Sequence, residues 1–85
     1  MKSIWTTNYE GHEIKIENTW FSGDRLYVNN NLQDERFNLF SSNLTGHILN
    51  QRNEKEDIKV NLGGFFKIDC RLFIGDKKTE VKQEK

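Results

Sequence analysis

EIKIENTWFSGDRLYVNNN, Glu13 to Asn31, joins a run of alternating residues to a turn, a short apolar pair and a second turn. Its first half has a period of two. Ile14, Ile16, Asn18 and Trp20 share one parity, while Glu13, Lys15, Glu17 and Thr19 share the other, as a strand with one buried and one wet face requires. Ser22-Gly23-Asp24 and Asn29-Asn30-Asn31 then bracket Arg25 to Val28, using residue types that enter tight turns at little cost. The stretch therefore predicts hairpin, short strand, hairpin, with Leu26 and Val28 inward and Tyr27 outward. Trp20 belongs to the core by parity. Phe21 and Tyr27 have no structural duty and become candidate binding residues.

The same period extends outward along the chain. In GGFFKIDCRLFIGDK, Gly63 to Lys77, one face holds Phe66, Ile68, Cys70, Leu72 and Ile74; the other holds Phe65, Lys67, Asp69, Arg71 and Phe73. This is the longest strand predicted. Ile58, Val60 and Leu62 repeat the spacing, and Trp5, Thr7 and Tyr9 supply a first strand. Phe37, Phe40, Leu44 and Ile48 also fit a helical stripe, but Ser41, Ser42, Asn43, Thr45 and Gly46 between them are weak helix formers. Two strands, near Glu35 to Phe40 and Leu44 to Gln51, are the preferred reading. Closely spaced turn signals then give about seven or eight short antiparallel strands, hence an all-β fold, a small antiparallel β-sandwich or partly open barrel. Residues 1–82 form one β domain, with 83–85 as a frayed tail. The core expected from parity is Trp5, Ile14, Ile16, Trp20, Leu26, Val28, Phe66, Ile68, Cys70 and Leu72.

Composition excludes several functions. Thirteen Lys and Arg balance thirteen Asp and Glu in 85 residues, so there is no overall positive field for nucleic acid and no polybasic anchor for a membrane. No apolar run is long enough to span a bilayer, and the N-terminal MKSIWTTNYEGHEIKIE has no apolar core of a secretory signal. A cytoplasmic protein is expected. The single cysteine, Cys70, has no internal partner, in keeping with a reducing compartment.

Catalytic patterns are missing from the sequence. His12, His47 and Cys70 are not at a zinc-ligand spacing, no G-x-S-x-G elbow occurs, and Gly63-Gly64 leads into a strand rather than a phosphate-binding helix. Glu54, Glu56 and Asp57 read as part of a charged loop with Arg52 and Lys55. No cofactor, metal or enzymatic activity is expected. The outward face of the longest predicted strand, Phe65, Lys67, Arg71 and Phe73, is the main candidate surface, and Phe21 and Tyr27 are further candidate binding residues. Exposed aromatics among mixed charges suit a protein partner or a second copy of the chain. They also suit stacking of single-stranded bases in a small β-barrel, the alternative, although Asp69 interrupts the face and net charge is zero.

Trp5, Gly11-His12 with Ile14 and Ile16, then Ser22-Gly23 with Arg25, Tyr27-Val28 and Asn29 resemble the opening of a lobe of the Fas apoptosis inhibitory molecule family. That likeness covers the first third of the chain specifically and the remainder only by alternation. One lobe stands where the family has two, with one residue fewer between Arg25 and Tyr27 and Asn30 in place of a turn glycine. The resemblance implies a compact β-sandwich that works by protein contact and has no catalytic activity.

Overall fold

The computed structural model describes residues 2–19, 22–37, 41–63 and 68–85. Among them the chain forms nine strands and no helix: β1 Lys2–Tyr9, β2 His12–Thr19, β3 Gly23–Val28, β4 Asn31–Arg36, β5 Ser41–Leu49, β6 Lys55–Gly63, β7 Asp69–Ile74, β8 Lys77–Thr79 and β9 Lys82–Gln83. They make two antiparallel sheets, ordered β4-β3-β2-β1-β9 and β5-β6-β7-β8. The fold is the small β-sandwich expected from the sequence, with more strands than the alternation alone distinguishes.

Three of the predicted turns are two-residue hairpin connections with both residues at positive φ: Glu10-Gly11 (46° and 83°), Asn29-Asn30 (51° and 67°) and Gly75-Asp76 (55° and 70°). This backbone matches the right-handed twist of the flanking strands. Between β5 and β6, buried Asn50 organises a longer turn, its Oδ1 accepting the N–H groups of Arg52 (2.8 Å) and Glu54 (3.0 Å).

The core lies between the sheets. Trp5, Ile14, Ile16, Leu26 and Val28 come from the first sheet and Leu44, Ile48, Ile58, Val60, Leu62, Leu72 and Ile74 from the second. The core residues described lie at the expected parity, but Ile68 and Cys70 are only half-buried, packed on the rim of this cluster, and Glu17, expected on the wet face of β2, is buried beneath Lys2 and Lys15, which lie 3.8 and 3.6 Å from its carboxylate. Trp20, Phe66, Phe21, Phe65 and Lys67 lie outside the described residues.

Several boundaries differ from the sequence reading. The strand expected to be the longest is β7, Asp69–Ile74, six residues against nine in β5 and in β6, and the strand expected at Leu44 to Gln51 is β5, Ser41–Leu49, closed by the turn that Asn50 organises. The strand expected at Glu35 to Phe40 is β4, Asn31–Arg36, because the Asn29-Asn30 turn returns the chain at once. The last residues are not a frayed tail: Gln83 pairs with Trp5, and Glu84 N–H donates to Ile4 C=O at 2.7 Å. Half-buried Val81 packs against the core where the chain crosses back from the second sheet.

The sheets are joined along β5 by side chains instead of a strand ladder. In β4, Asp34 lies opposite Leu26 and Leu32 opposite Tyr27, leaving Gln33 as the extra residue of a bulge. The bulge turns Gln33 onto the outer edge of β5, where its Oε1 accepts His47 N–H at 2.8 Å and its Nε2 donates to His47 C=O at 3.0 Å. Asp34 Oδ2 accepts Thr45 N–H at 2.8 Å, and His12 Nε2–H donates to Leu49 C=O at 2.6 Å. The carbonyl fixes the His12 tautomer, so Nδ1 accepts from the Asn29 amide at 2.9 Å. Gly46 sits inside this seam, where a Cβ would collide with Gln33 Oε1 and come within 3.0 Å of Leu26 Cδ2.

Candidate functional site

The molecule presents two outer sheet faces that differ in how their charges are used. On the first sheet, Lys15 and Lys2 lie 3.6 and 3.8 Å from the Glu17 carboxylate, Arg25 is 2.5 Å from Glu35, and Thr6 donates to Glu84 at 3.1 Å. Lys15 and Glu17 are two apart on β2, and the other pairs are brought together across strands by register, with Glu17 opposite Arg25 and Arg25 opposite Glu35. Lys15 also lies over the Tyr27 ring, 4.8 Å from its centroid. Tyr27 therefore has a structural partner in a cation–π contact. It belongs to β3 in the first sheet, so it does not join Arg71 and Phe73, which β7 carries on the outer face of the second.

That second face is built from alternate residues. β6 turns Lys55, Asp57, Lys59 and Asn61 outward, all exposed, while Ile58, Val60 and Leu62 are buried. Lys55, Glu56 and Asp57 are thus strand residues, not the charged loop expected, because the turn closes earlier, at Glu54. β7 adds exposed Asp69 and Arg71 and half-buried Phe73. Pairing register then sets Thr45, Lys59, Phe73 and Lys78 in one row across the sheet. Arg71 lies 3.4 Å from Asp69. Lys55, Lys59 and Lys78 have no ion-pair partner among the described residues.

Two open hollows flank the β6 row and share Lys55, Asp57 and Lys59. One, of about 570 Å³, lies toward β5 and reaches Thr45, His47 and Gln33. The other, of about 180 Å³, lies toward Phe73, Gly75 and Asp76. Leu49, opposite Lys55, is 53% exposed and adds an apolar contact at the end of the row. Lys55, Asp57 and Lys59 were missed in the sequence reading, although their alternation with Ile58 and Val60 was the signal that placed them outward.

Other polar groups have identifiable duties. Asp24, 3% exposed, is at the inward parity of Leu26 and Val28; it accepts Asn18 Nδ2–H at 2.5 Å and the Ser42 hydroxyl, bridging the sheets. Tyr9 donates its hydroxyl to both Glu56 oxygens at 3.1 and 3.2 Å; burial and then this carboxylate raise its pKa. Burial, with Asp69 adding, pushes the Cys70 thiol up to about 12, which suppresses the nucleophilic thiolate at neutral pH. Among the described residues no group of three or more His, Cys, Asp or Glu side chains is placed to hold a metal ion. No helix among them is long and apolar enough to cross a membrane.

Comparison with models of known families, with characterised proteins and with solved structures gave no match. The likeness to the Fas apoptosis inhibitory molecule family accordingly rests on the residues between Trp5 and Asn29.

Proposed function

We propose that this protein is a non-catalytic, cytoplasmic binding module that holds a protein partner, or a second copy of itself, on the outer face of its second sheet. The observation that carries the proposal is one cross-strand row: half-buried Phe73 lies between Lys59 and Lys78, and neither of these, nor Lys55 further along β6, makes an ion pair among the described residues, whereas on the first face Lys2, Lys15 and Arg25 pair with carboxylates of their own sheet and Lys82 at its edge alone does not. A half-buried aromatic flanked by uncommitted long side chains gives a partner both contact area and charge. The family resemblance points to the same mode of action, and a lone, half-buried Cys70 accords with a reducing compartment.

The test is capture of partners from an extract of the native host, with mass spectrometry, alongside light scattering of the pure protein. Phe73→Ser with Arg71→Ser should remove the captured partner or the self-association, while Tyr27→Ser on the opposite face should not. A monomeric parent whose captured proteins are all retained by the double variant would refute the assignment. Single-stranded nucleic acid is a second reading, favoured by the Lys59–Phe73–Lys78 row, since a ring between two cations is suited to stacking a base beside its phosphates. Asp57 and Asp69 on the same face oppose a uniform polyanion.

A further inference from the structure

Along β6 the outward charges read plus, minus, plus: Lys55, Asp57, Lys59. On this pattern, and resting on the proposed use of this face, we infer that the partner presents an extended segment with an acidic residue, a basic residue and an acidic residue at alternate positions. An extended chain laid along β6 turns positions i, i+2 and i+4 toward the sheet. At about 3.3 Å per residue, its two acids stand about 13 Å apart, the same separation as Lys55 and Lys59 on their own strand. The basic residue then falls over Asp57.

This alternation distinguishes partner classes. A nucleic-acid strand carries a phosphate at every unit and must place one over Asp57, whose side chain makes no ion pair among the described residues to neutralise it. A peptide meets that carboxylate with an opposite charge. The hollows on either side of the row receive side chains that flank the segment. Phe73 lies directly beside Lys59 and Leu49 directly beside Lys55, so each predicted acid site has an apolar neighbour. Apolar surface at each charge pair limits the water that would otherwise screen it.

The experiment uses the full chain and fluorescence anisotropy with four labelled probes: the peptide Ser-Glu-Thr-Lys-Thr-Glu-Ser, its inverse Ser-Lys-Thr-Glu-Thr-Lys-Ser, an all-glutamate version of the three charged positions, and a thymidine decamer. The first peptide should bind about tenfold more tightly than its inverse, from three exposed pairs of modest individual strength, and should weaken as salt is raised. The triple variant Lys55→Glu, Asp57→Lys, Lys59→Glu should reverse the preference. A reversal also shows that the variant is folded. An unchanged preference in the triple variant, equal binding of the two peptides, or tighter binding of the all-glutamate peptide or the decamer overturns the inference. If no probe binds while Phe73 is still required for partner capture, the charge pattern fails and the binding face stands; if capture also ignores Phe73, both fail.

Discussion

Replacing Gln33 with Ala removes the two hydrogen bonds that hold the bulge of β4 against β5, at 2.8 and 3.0 Å, and leaves His47 N–H and C=O without those protein partners. Each such bond contributes about 0.5–1.5 kcal/mol net. The site is exposed, so water recovers part of the loss, and the expected destabilisation is about 1–2 kcal/mol. An 85-residue domain has a total stability of roughly 4–13 kcal/mol, and each kcal/mol moves Tm by about 4–8 °C at this size. Thermal unfolding should therefore fall by about 5–15 °C. Amide exchange supplies the local readout: His47 N–H should exchange much faster in the variant, whereas Thr45 N–H, held by Asp34, should keep its protection. Gln33→Glu keeps an acceptor for His47 N–H but turns a carboxylate toward the His47 carbonyl, and should be no better than Ala. A Tm within about 1 °C of the parent, with unaltered His47 exchange, would refute the seam as a stabilising element.

Gly46→Ala should cost about 1–3 kcal/mol, since the added methyl displaces Gln33 and crowds Leu26; combined with Gln33→Ala, the loss should be less than additive in urea unfolding, and strict additivity would show the two do not share a contact. Asp24→Ala should cost about 2–4 kcal/mol because it strands the half-buried Asn18 amide and the buried Ser42 hydroxyl, while Asp24→Asn, which retains an acceptor, should lose less; equal losses would assign the effect to packing alone. Cys70 should react slowly with a thiol reagent in native buffer and fast in denaturant, and equal rates would contradict its place against the core. Its raised pKa gives a pH dependence of definite sign: the neutral thiol is favoured in the folded state, so stability is fully present below the free-thiol value of 9.0 and declines as pH rises toward about 12. Cys70→Ala should flatten that alkaline loss in unfolding curves at pH 7.5 and 10.5, with Tyr9 contributing what remains, and identical slopes would reject the assignment.

The strand faces were legible because the buried apolar residues on both sheets follow a period of two. Ile14 and Ile16, Leu26 and Val28, Ile58, Val60 and Leu62, and Leu72 and Ile74 all point where parity places them. The paired turns were legible for a local reason: Gly11, Asn29-Asn30 and Gly75-Asp76 are residue types that enter positive φ more readily than most, and only Glu10, at 46°, is not. What escaped depends on contacts distant in sequence. β4 has no alternating apolar signature, since its one large apolar side chain, Leu32, is 51% exposed and Asp34 stands opposite buried Leu26. Gly46 looked like a helix breaker, yet its role is to admit a side chain from another sheet. β9 is a strand because β1 offers it a free edge, which nothing in Lys82-Gln83 itself announces. On the candidate face, Arg71 and Phe73 followed from alternation, whereas pairing Phe73 with Lys59 and Lys78 needed the register.

The mode of binding follows from what the sheet edges withhold. β5, a long edge strand, has its Thr45, His47 and Leu49 groups engaged by Asp34, Gln33 and His12. β8 and β9 span three and two residues and carry Lys77, Lys78 and Lys82, and short, lysine-bearing edges discourage strand pairing. Lys78 therefore has an edge duty that accounts for its exposure without any ligand. Lys55 and Lys59 have none, for β6 is paired on both sides by β5 and β7. Their selection on the solvent face, with Asp57 between them, is the part of the charge pattern that edge protection does not explain. On the reading proposed here, recognition is by side chains across a face rather than by backbone addition at an edge. Its specificity then resides in the order of charges along β6, and reversing that order should change which partner is held while leaving the sandwich beneath it intact.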